Sequence, residues 1–537
     1  MRTGHPSALS AGPVAGSMLL RRARFLPGLL LTLAILLSAC GPSQPAFTPT
    51  PEPTPRPTRP HTSAFEPADC EFPTPVDVVV ECGYLLVPED RSQGGSGDPA
   101  QTIRLHVAIF PSPNPNPEPD PLIYLHGGPG AGVLQEIAFW YSEPFQYIID
   151  QRDFIVFDQR GVGYSRPNLG CFDNTLSFYE SLAEDQRLGL EEWQASHADT
   201  CYNSLIAMGI DLPGYTSAAS AADIDDLRVA LGYEQVNLYG SSYGSRLALT
   251  ALRDFGPQGT IRSVILDSVY PPQVDLYAER AANAERALQA IFDACAADAT
   301  CNADYGNVEA RFYALIEALD AEPLTFKVTN PVTEKQQDLV VNGNRMIETF
   351  YRASYYSEWI AVIPRMIHEM EAGGFELFAG ATENLFWLAY GIDQGAYFSV
   401  QCSEEAAFSS PEAVDAASAG VQPLLRAHFA AGTKAGLAAC ATWDTYPAAP
   451  DENQPVRSDV PTLILAGSYD PITPPAWSLA VAGDLENATY FEFSGGHGVL
   501  YDHECAQVLA GDFVDDPSTL PSPACLGDLQ ELRFERP

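Results

Sequence analysis

Residues 240–244 read Gly240-Ser241-Ser242-Tyr243-Gly244, and they restrict the fold more than any other stretch of the chain. In a Gly-x-Ser-x-Gly pattern the backbone turns sharply from a strand into a helix and leaves the central serine exposed at the sheet's edge. Small residues must flank that serine, because larger side chains would clash with the helix and the neighbouring strands. The apolar run Val236–Tyr239 predicts the strand, and Leu247 and Leu249 behind Tyr243 predict the helix. Five residues alone are a weak signal. Their weight comes from their setting: His126-Gly127-Gly128-Pro129-Gly130 precedes them, and Asp470 and then His497 follow.

Around this turn the chain alternates strands and helices. Thr102–Phe110 places Ile103, Leu105, Val107 and Ile109 on one face, and the short apolar runs Leu122–Leu125, Phe154–Phe157, Val264–Leu266, Leu463–Ala466 and Thr489–Phe493 read as buried strands. A helix is predicted near Ala218–Leu231, stopped by Gly232. Short apolar strands separated by helices imply a mostly parallel sheet covered on both faces. Between Asp267 and about Val460 the pattern changes to helical spacing alone, over Leu276–Asp293, Val308–Leu319, Met346–Tyr355, Ile360–Ala372 and Pro411–Ala431. That predicts a helical cap inserted into the sheet domain. The expected layout is 68–270 for the first part of the core, 271–458 for the cap and 459–537 for the rest of the core.

The amino-terminal residues read as a targeting segment. Arg21, Arg22 and Arg24 precede the apolar run Phe25–Leu37, which is too short for a comfortable membrane span. The run closes on Leu37-Ser38-Ala39-Cys40-Gly41, which resembles a bacterial lipoprotein cleavage box with Cys40 as the lipidated first residue. Residues 1–39 are then a signal peptide, with Met18 a possible true start; the alternative is ordinary cleavage after Ala39. Residues 40–67 form a linker, and eight prolines fall within residues 41–60. Such a segment favours extended polyproline II and reaches roughly 60 Å at about 3.1 Å per residue. The expectation is an exported protein, lipid-anchored at the outer face of a bacterial cell membrane.

The formal charge is −40, and the first 39 residues hold four arginines and no acids, so their loss takes it to about −44. Such a surface repels phosphates and excludes a nucleic-acid partner. Ten cysteines remain after Cys40, an even number in an exported chain. They fall as close neighbours: Cys70 and Cys82, Cys171 and Cys201, Cys295 and Cys301, Cys402 and Cys440, Cys505 and Cys525. Sequential pairing gives five local disulfides, although sequence does not fix connectivity. A zinc site is the poorer reading, since no Cys-x-x-Cys occurs.

A serine hydroxyl is a poor nucleophile unless a base takes its proton and a third group fixes the base's tautomer. Asp470 follows a predicted strand within Gly467-Ser468-Tyr469-Asp470-Pro471, and His497 lies in Ser494-Gly495-Gly496-His497-Gly498 after the next. Ser242, His497 and Asp470 are therefore the expected nucleophile, base and orienting acid. His503 is the rival base and Asp267 the rival acid. The oxyanion of an acyl-transfer intermediate needs backbone donors; Tyr243, first in the elbow helix, and Gly128 in the glycine loop are expected to supply them. No phosphate loop or metal-ligand cluster occurs, so no cofactor is expected.

His126-Gly127-Gly128-Pro129-Gly130, Asp158-Gln159-Arg160-Gly161-Val162-Gly163-Tyr164-Ser165 and the elbow together resemble the proline iminopeptidase branch of the α/β-hydrolases. With Cys82-Gly83-Tyr84, the long cap and the carboxyl-terminal Asp470 and His497 segments, the layout is similar to that of secreted tripeptidyl aminopeptidase-like serine peptidases. The resemblance covers nearly everything after residue 68. It implies an α/β-hydrolase fold with an inserted α-helical cap, a peptide substrate, and release of residues from peptide N-termini. It also implies that Asp158 and Arg160 brace loops. An aminopeptidase must hold a free ammonium, and Glu404 and Glu405 beside Cys402 are the expected carboxylates, with Phe386, Trp387, Tyr390, Tyr397 and Phe398 as pocket walls. The other readings are a carboxylesterase or amidase of the same fold and, more remotely, a non-catalytic surface-binding lipoprotein.

Overall fold

The computed structural model describes residues 64–91, 102–141, 145–330, 333–382, 391–519, 521, 525 and 532–537. Cys40, the targeting segment and most of the linker lie outside them, as do Phe386, Trp387 and Tyr390. The strands are β1 (Phe65–Pro67), β2 (Glu81–Pro88), β3 (Thr102–Phe110), β4 (Leu122–Leu125), β5 (Phe154–Phe157), β6 (Val236–Ser241), β7 (Ile261–Asp267), β8 (Leu324–Thr329), β9 (Gln336–Val341), β10 (Thr462–Gly467) and β11 (Ala488–Phe493). Nine of them make one sheet in the order β1-β2-β3-β5-β4-β6-β7-β10-β11. From β5 through β4, β6, β7 and β10 to β11 the pairing is parallel, while β1, β2 and β3 join as an antiparallel edge.

Alternation along the strands divides the core. Ile103, Leu105, Val107 and Ile109 of β3 join Ile123, Leu125 and Leu238 on one face. Leu122, Tyr124, Phe154, Val156 and Tyr239 pack on the other. Both faces are buried because helices cover both, which is why the parallel strands read as continuous apolar runs. Ser217–Ala230 and Tyr243–Phe255 lie on the first face, and Glu504–Asp515 packs on the second.

The third core belongs to the cap, and it differs from expectation in two ways. It recruits Phe178, Tyr179, Leu190 and Trp193, which precede the elbow in sequence, so the helical layer is not confined to residues 271–458. It also contains a β-hairpin, β8 with β9, whose Val328, Leu339 and Val341 fill the same interior. The long helix expected over 411–431 is two, Pro411–Ala417 and Pro423–Cys440, because Pro423 cannot continue a helix and starts a new one capped by Gln422. Among the described residues no helix is long and apolar enough to cross a membrane.

The ten cysteines outside Cys40 pair neighbour to neighbour: Cys70–Cys82, Cys171–Cys201, Cys295–Cys301, Cys402–Cys440 and Cys505–Cys525. Cys402–Cys440 spans 38 residues, the longest of the five separations, and ties the Gln394–Glu404 helix to the end of Pro423–Cys440. A closed loop of that length stabilises by about 3–4 kcal/mol in the chain-entropy account. Replacing both cysteines by serine should cost on that order, read from guanidinium unfolding midpoints. A loss below about 1 kcal/mol would show that the disulfide constrains little.

Candidate active site

The turn after β6 has the geometry that its glycines anticipate. Ser242 sits at φ +58° and ψ −126°, a strained conformation for a side-chain-bearing residue, and its N–H donates to the Asp267 carbonyl at 3.0 Å. Gly240 and Gly244 are close to steric limits. A Cβ on Gly244 would overlap the Leu125 carbonyl oxygen, and one on Gly240 would overlap the Gly244 carbonyl. The Tyr243–Phe255 helix starts at once, so the Tyr243 N–H has no acceptor within the helix.

Two loops at the ends of the last parallel strands bring up the other groups. Asp470, fully buried, places Oδ2 at 2.8 Å from His497 Nδ1. Its Oδ1 accepts the N–H groups of Ile472 and Thr473 at 2.9 Å each, and the Thr473 hydroxyl donates to Oδ2 at 2.6 Å. Burial alone would raise the Asp470 carboxyl, but the His497 charge and these donors hold it below its ordinary value. Burial likewise pushes the His497 imidazole down, and Asp470 outweighs it, leaving the imidazole above its ordinary value. The two shifts run in opposite directions, the acid down and the base up, as an ion pair requires.

Neither rival takes these places. Asp267, fully buried at the end of β7, accepts the N–H groups of Val499 and Leu500 at 3.0 Å each and the Tyr239 hydroxyl at 3.1 Å. It braces the chain just after His497, and burial raises its carboxyl to about 6. His503 is half-buried beneath the Gly495 backbone and does not line the cavity that Ser242 and His497 share.

That cavity, about 410 Å³, is lined by Ser242, His497, Gly127, Gly128 and a ring of tyrosines from both core and cap. Gly127 packs against Ser242, with its missing Cβ position 3.0 Å from Ser242 Cβ, while Gly128 is exposed to the space at φ +118°. His126 braces this loop through Nδ1 and the Tyr124 hydroxyl, 2.7 Å apart. Burial holds the His126 imidazole down at about 4, so it is neutral. Asp158 accepts the N–H groups of Val133, Leu134 and Tyr164, and Arg160 is paired with buried Asp223 at 2.7 Å.

Glu404 and Glu405 require a correction. Both are buried, at 3% and 4% exposure, and neither lines the cavity. Glu404 accepts the Ser217 N–H at 2.6 Å and the Ser217 hydroxyl at 2.7 Å, and it shares Arg246 with Glu405. Arg246 rises from the elbow helix with its guanidinium 4.9 Å from the Tyr270 ring centroid. Charges this deep persist only when paired, so the two carboxylates are spent on one arginine and cannot reach a substrate. Of the expected aromatic walls, Tyr397 lines the cavity and Phe398 packs into the core.

The family described as alpha/beta hydrolase fold matches residues 120–298, which hold the glycine loop and the elbow. The chain has the α/β-hydrolase fold. A second family, described as TAP-like protein, matches residues 426–524 of this chain, the stretch that carries Asp470 and His497. Over 471 residues it is 23% identical to the serine protease Hip1 of Mycobacterium tuberculosis, covering 82% of this chain and 86% of that protein. It is 31% identical over 223 residues to the tripeptidyl aminopeptidase of Streptomyces lividans, covering 39% and 38% of the two chains. It is also 24% identical over 465 residues to carboxylesterase B of Mycobacterium tuberculosis, covering 82% and 85%.

Sequence reasoning missed what the cap contributes to the site. The Tyr355 carbonyl accepts the His497 N–H at 2.7 Å, and Ser357 Oγ accepts the Gly496 N–H at 3.1 Å. Arg286 donates to the Ser468 carbonyl at 3.0 Å and to the Asp470 carbonyl. A carbonyl contact leaves no mark on side-chain pattern, so Tyr355 carries no sequence signal; Arg286 shares the partly exposed side of its helix with Glu285 and Gln289 and offers none either. Glu136, Glu191, Arg280 and Arg352 also line the cavity. Replacing Arg246 with methionine would strand Glu404 and Glu405 as unpaired buried carboxylates. A destabilisation of about 3–5 kcal/mol is expected, measured by thermal unfolding. An unchanged melting temperature would refute the pairing.

Proposed function

We propose that this hydrolase is a serine exopeptidase that removes residues or short peptides from peptide N-termini through an acyl-enzyme. The observation that carries the reading is Ser242 on its strained elbow in one cavity with an imidazole whose Nδ1 is held at 2.8 Å by a buried carboxylate. The similarity to a serine protease and to a tripeptidyl aminopeptidase, and the TAP-like match over Asp470 and His497, favour peptide bonds as the target.

In the proposed reaction Ser242 Oγ attacks the substrate carbonyl carbon while His497 Nε2 takes the hydroxyl proton. Asp470 fixes the tautomer that leaves Nε2 free and stabilises the imidazolium. The Tyr243 and Gly128 N–H groups receive the oxyanion, where the helix start adds its positive field. Collapse expels the amine, which takes the proton from His497. A water molecule, deprotonated in turn by His497, then releases the acyl group and restores Ser242. None of these steps uses a cofactor.

The amino-terminal pattern and the five disulfides support export to an oxidising compartment, with the chain held at a membrane by a lipid on Cys40. The second reading is a carboxylesterase, favoured by the similarity to carboxylesterase B. The two differ in the bond they break and in the need for a free amine.

Turnover of Ala-Ala-Pro nitroanilide, its N-acetylated twin and a short-chain nitrophenyl ester separates them. A peptidase should cleave the free-amine amide well, its twin poorly, and lose about 10⁶-fold in kcat in Ser242→Ala. Ester turnover without amide turnover would overturn the peptidase reading. Because His497 must be neutral to act and its pKa is raised, kcat/KM should fall as pH drops, with a midpoint above 6.5. Asp470→Asn should lower that midpoint and cut kcat about 10⁴-fold; a flat profile from about pH 5 to 8 would exclude His497 as the base.

A further inference from the structure

Two carboxylates line the cavity among the described residues, and they stand in opposite electrostatic situations. Glu191 is neutralised: Arg280 is paired with it, and Arg352 Nη2 lies 3.6 Å away. Arg352 in turn donates to Glu348 at 2.8 Å, and Glu348 meets His428 at 3.0 Å, so that wall of the cavity is a closed ionic network. Glu136 has no such partner. Among the described residues its side chain makes no ion pair and no hydrogen bond, and it does not cap the short helix that follows it. It is exposed, but into the cavity that Ser242 lines.

The surroundings of Glu136 are aromatic. Tyr124, Tyr356 and Tyr501 line the same space, and the negative charge of Glu136 helps to push all three phenols up. The Tyr124 and Tyr501 hydroxyls are turned to each other at 2.6 Å, and Tyr124 also meets His126, so these groups leave the carboxylate without a donor. Burial by the neighbouring protein raises the Glu136 carboxyl, the direction expected of a charge that lacks compensation. A cation placed there would gain a charge-assisted hydrogen bond and the faces of nearby tyrosines.

We infer that Glu136 binds an ammonium group of the substrate, held in the same cavity as the reacting serine. The inference rests on the proposed use of this cavity for substrate and names the group that sorts one substrate from another. The ammonium has two chemical sources, a peptide's amino terminus or a lysine side chain, and Glu136 takes the place that Glu404 and Glu405 cannot fill.

The test compares wild type with Glu136→Gln and Glu136→Asp, each verified as folded by its melting curve and by phosphonate labelling of Ser242. One substrate pair is Ala-Ala-Pro nitroanilide and its N-acetylated twin. The other is a set of N-acetylated tripeptide nitroanilides carrying lysine or norleucine at each position in turn. The readout is the kcat/KM ratio within each pair. Wild type should favour the charged member of at least one pair by roughly 10- to 100-fold, the size of a charge-assisted hydrogen bond. Glu136→Gln should bring that ratio close to one, mainly through KM, and Glu136→Asp should restore part of it. Collapse of the free-amine ratio assigns the amino terminus; collapse of the lysine ratio assigns the side chain. A free-amine ratio of one in wild type, with a lysine ratio that collapses, would end the aminopeptidase reading and leave the ammonium site standing. Ratios unchanged in Glu136→Gln, or equal to one throughout in wild type, would overturn the inference.

Discussion

The close approach of the Tyr243–Phe255 helix to strand β4 sets the position of everything else in the site. Gly244 lies so near the Leu125 carbonyl that no side chain fits between them, and Ser242 is pressed into its positive φ as the chain turns to make that approach. Leu125 leads straight into the His126–Gly130 loop, so one contact places both the serine and the glycine loop. Ser242 is thereby seated against Gly127. The strain is local, and the surrounding sheet, buried on both faces, supports it.

A second regularity is the use of buried carboxylates as anchors for loop backbone. Asp158 gathers the amides of Val133, Leu134 and Tyr164. Asp267 gathers those of Val499 and Leu500, and Asp393 accepts the Gly163 N–H at 2.7 Å and the Asn168 amide at 3.0 Å. Loops need such anchors because they cannot satisfy their own donors. The arrangement also explains why an acidic residue beside a glycine-rich segment is a poor guide to chemistry in this chain. Most of these acids hold backbone, and Asp470 is set apart by meeting an imidazole as well.

What could be read from sequence follows from how local the causes are. The sheet strands were legible because alternation and short apolar runs act over a few residues, and β3, β4 and β5 begin and end where the pattern places them. The elbow, the glycine loop and the Asp470 and His497 loops were legible for the same reason: each is a short motif at a strand end. Glu404 and Glu405 misled because their partner, Arg246, lies far away in sequence on the elbow helix, and nothing in the pattern of residues 402–405 shows that it neutralises them. Glu136 escaped notice for the complementary reason. Its significance is the absence of a partner, which only the assembled cavity reveals. The β8–β9 hairpin hid among helices because its strands, Leu324–Thr329 and Gln336–Val341, are half-exposed and polar.

The cap's grip on the two loops has a consequence for traffic. Tyr355 and Ser357 hold the backbone around His497, and Arg286 holds the carbonyls of Ser468 and Asp470. A lid that swung away to admit a large substrate would take these supports with it and loosen His497 and Asp470. The geometry therefore favours a fixed doorway over a swinging one, and a fixed doorway acts as a sieve. On the proposed peptidase reading, chain ends and short peptides would thread in, while a folded domain would be turned away by its bulk before any question of sequence preference arises.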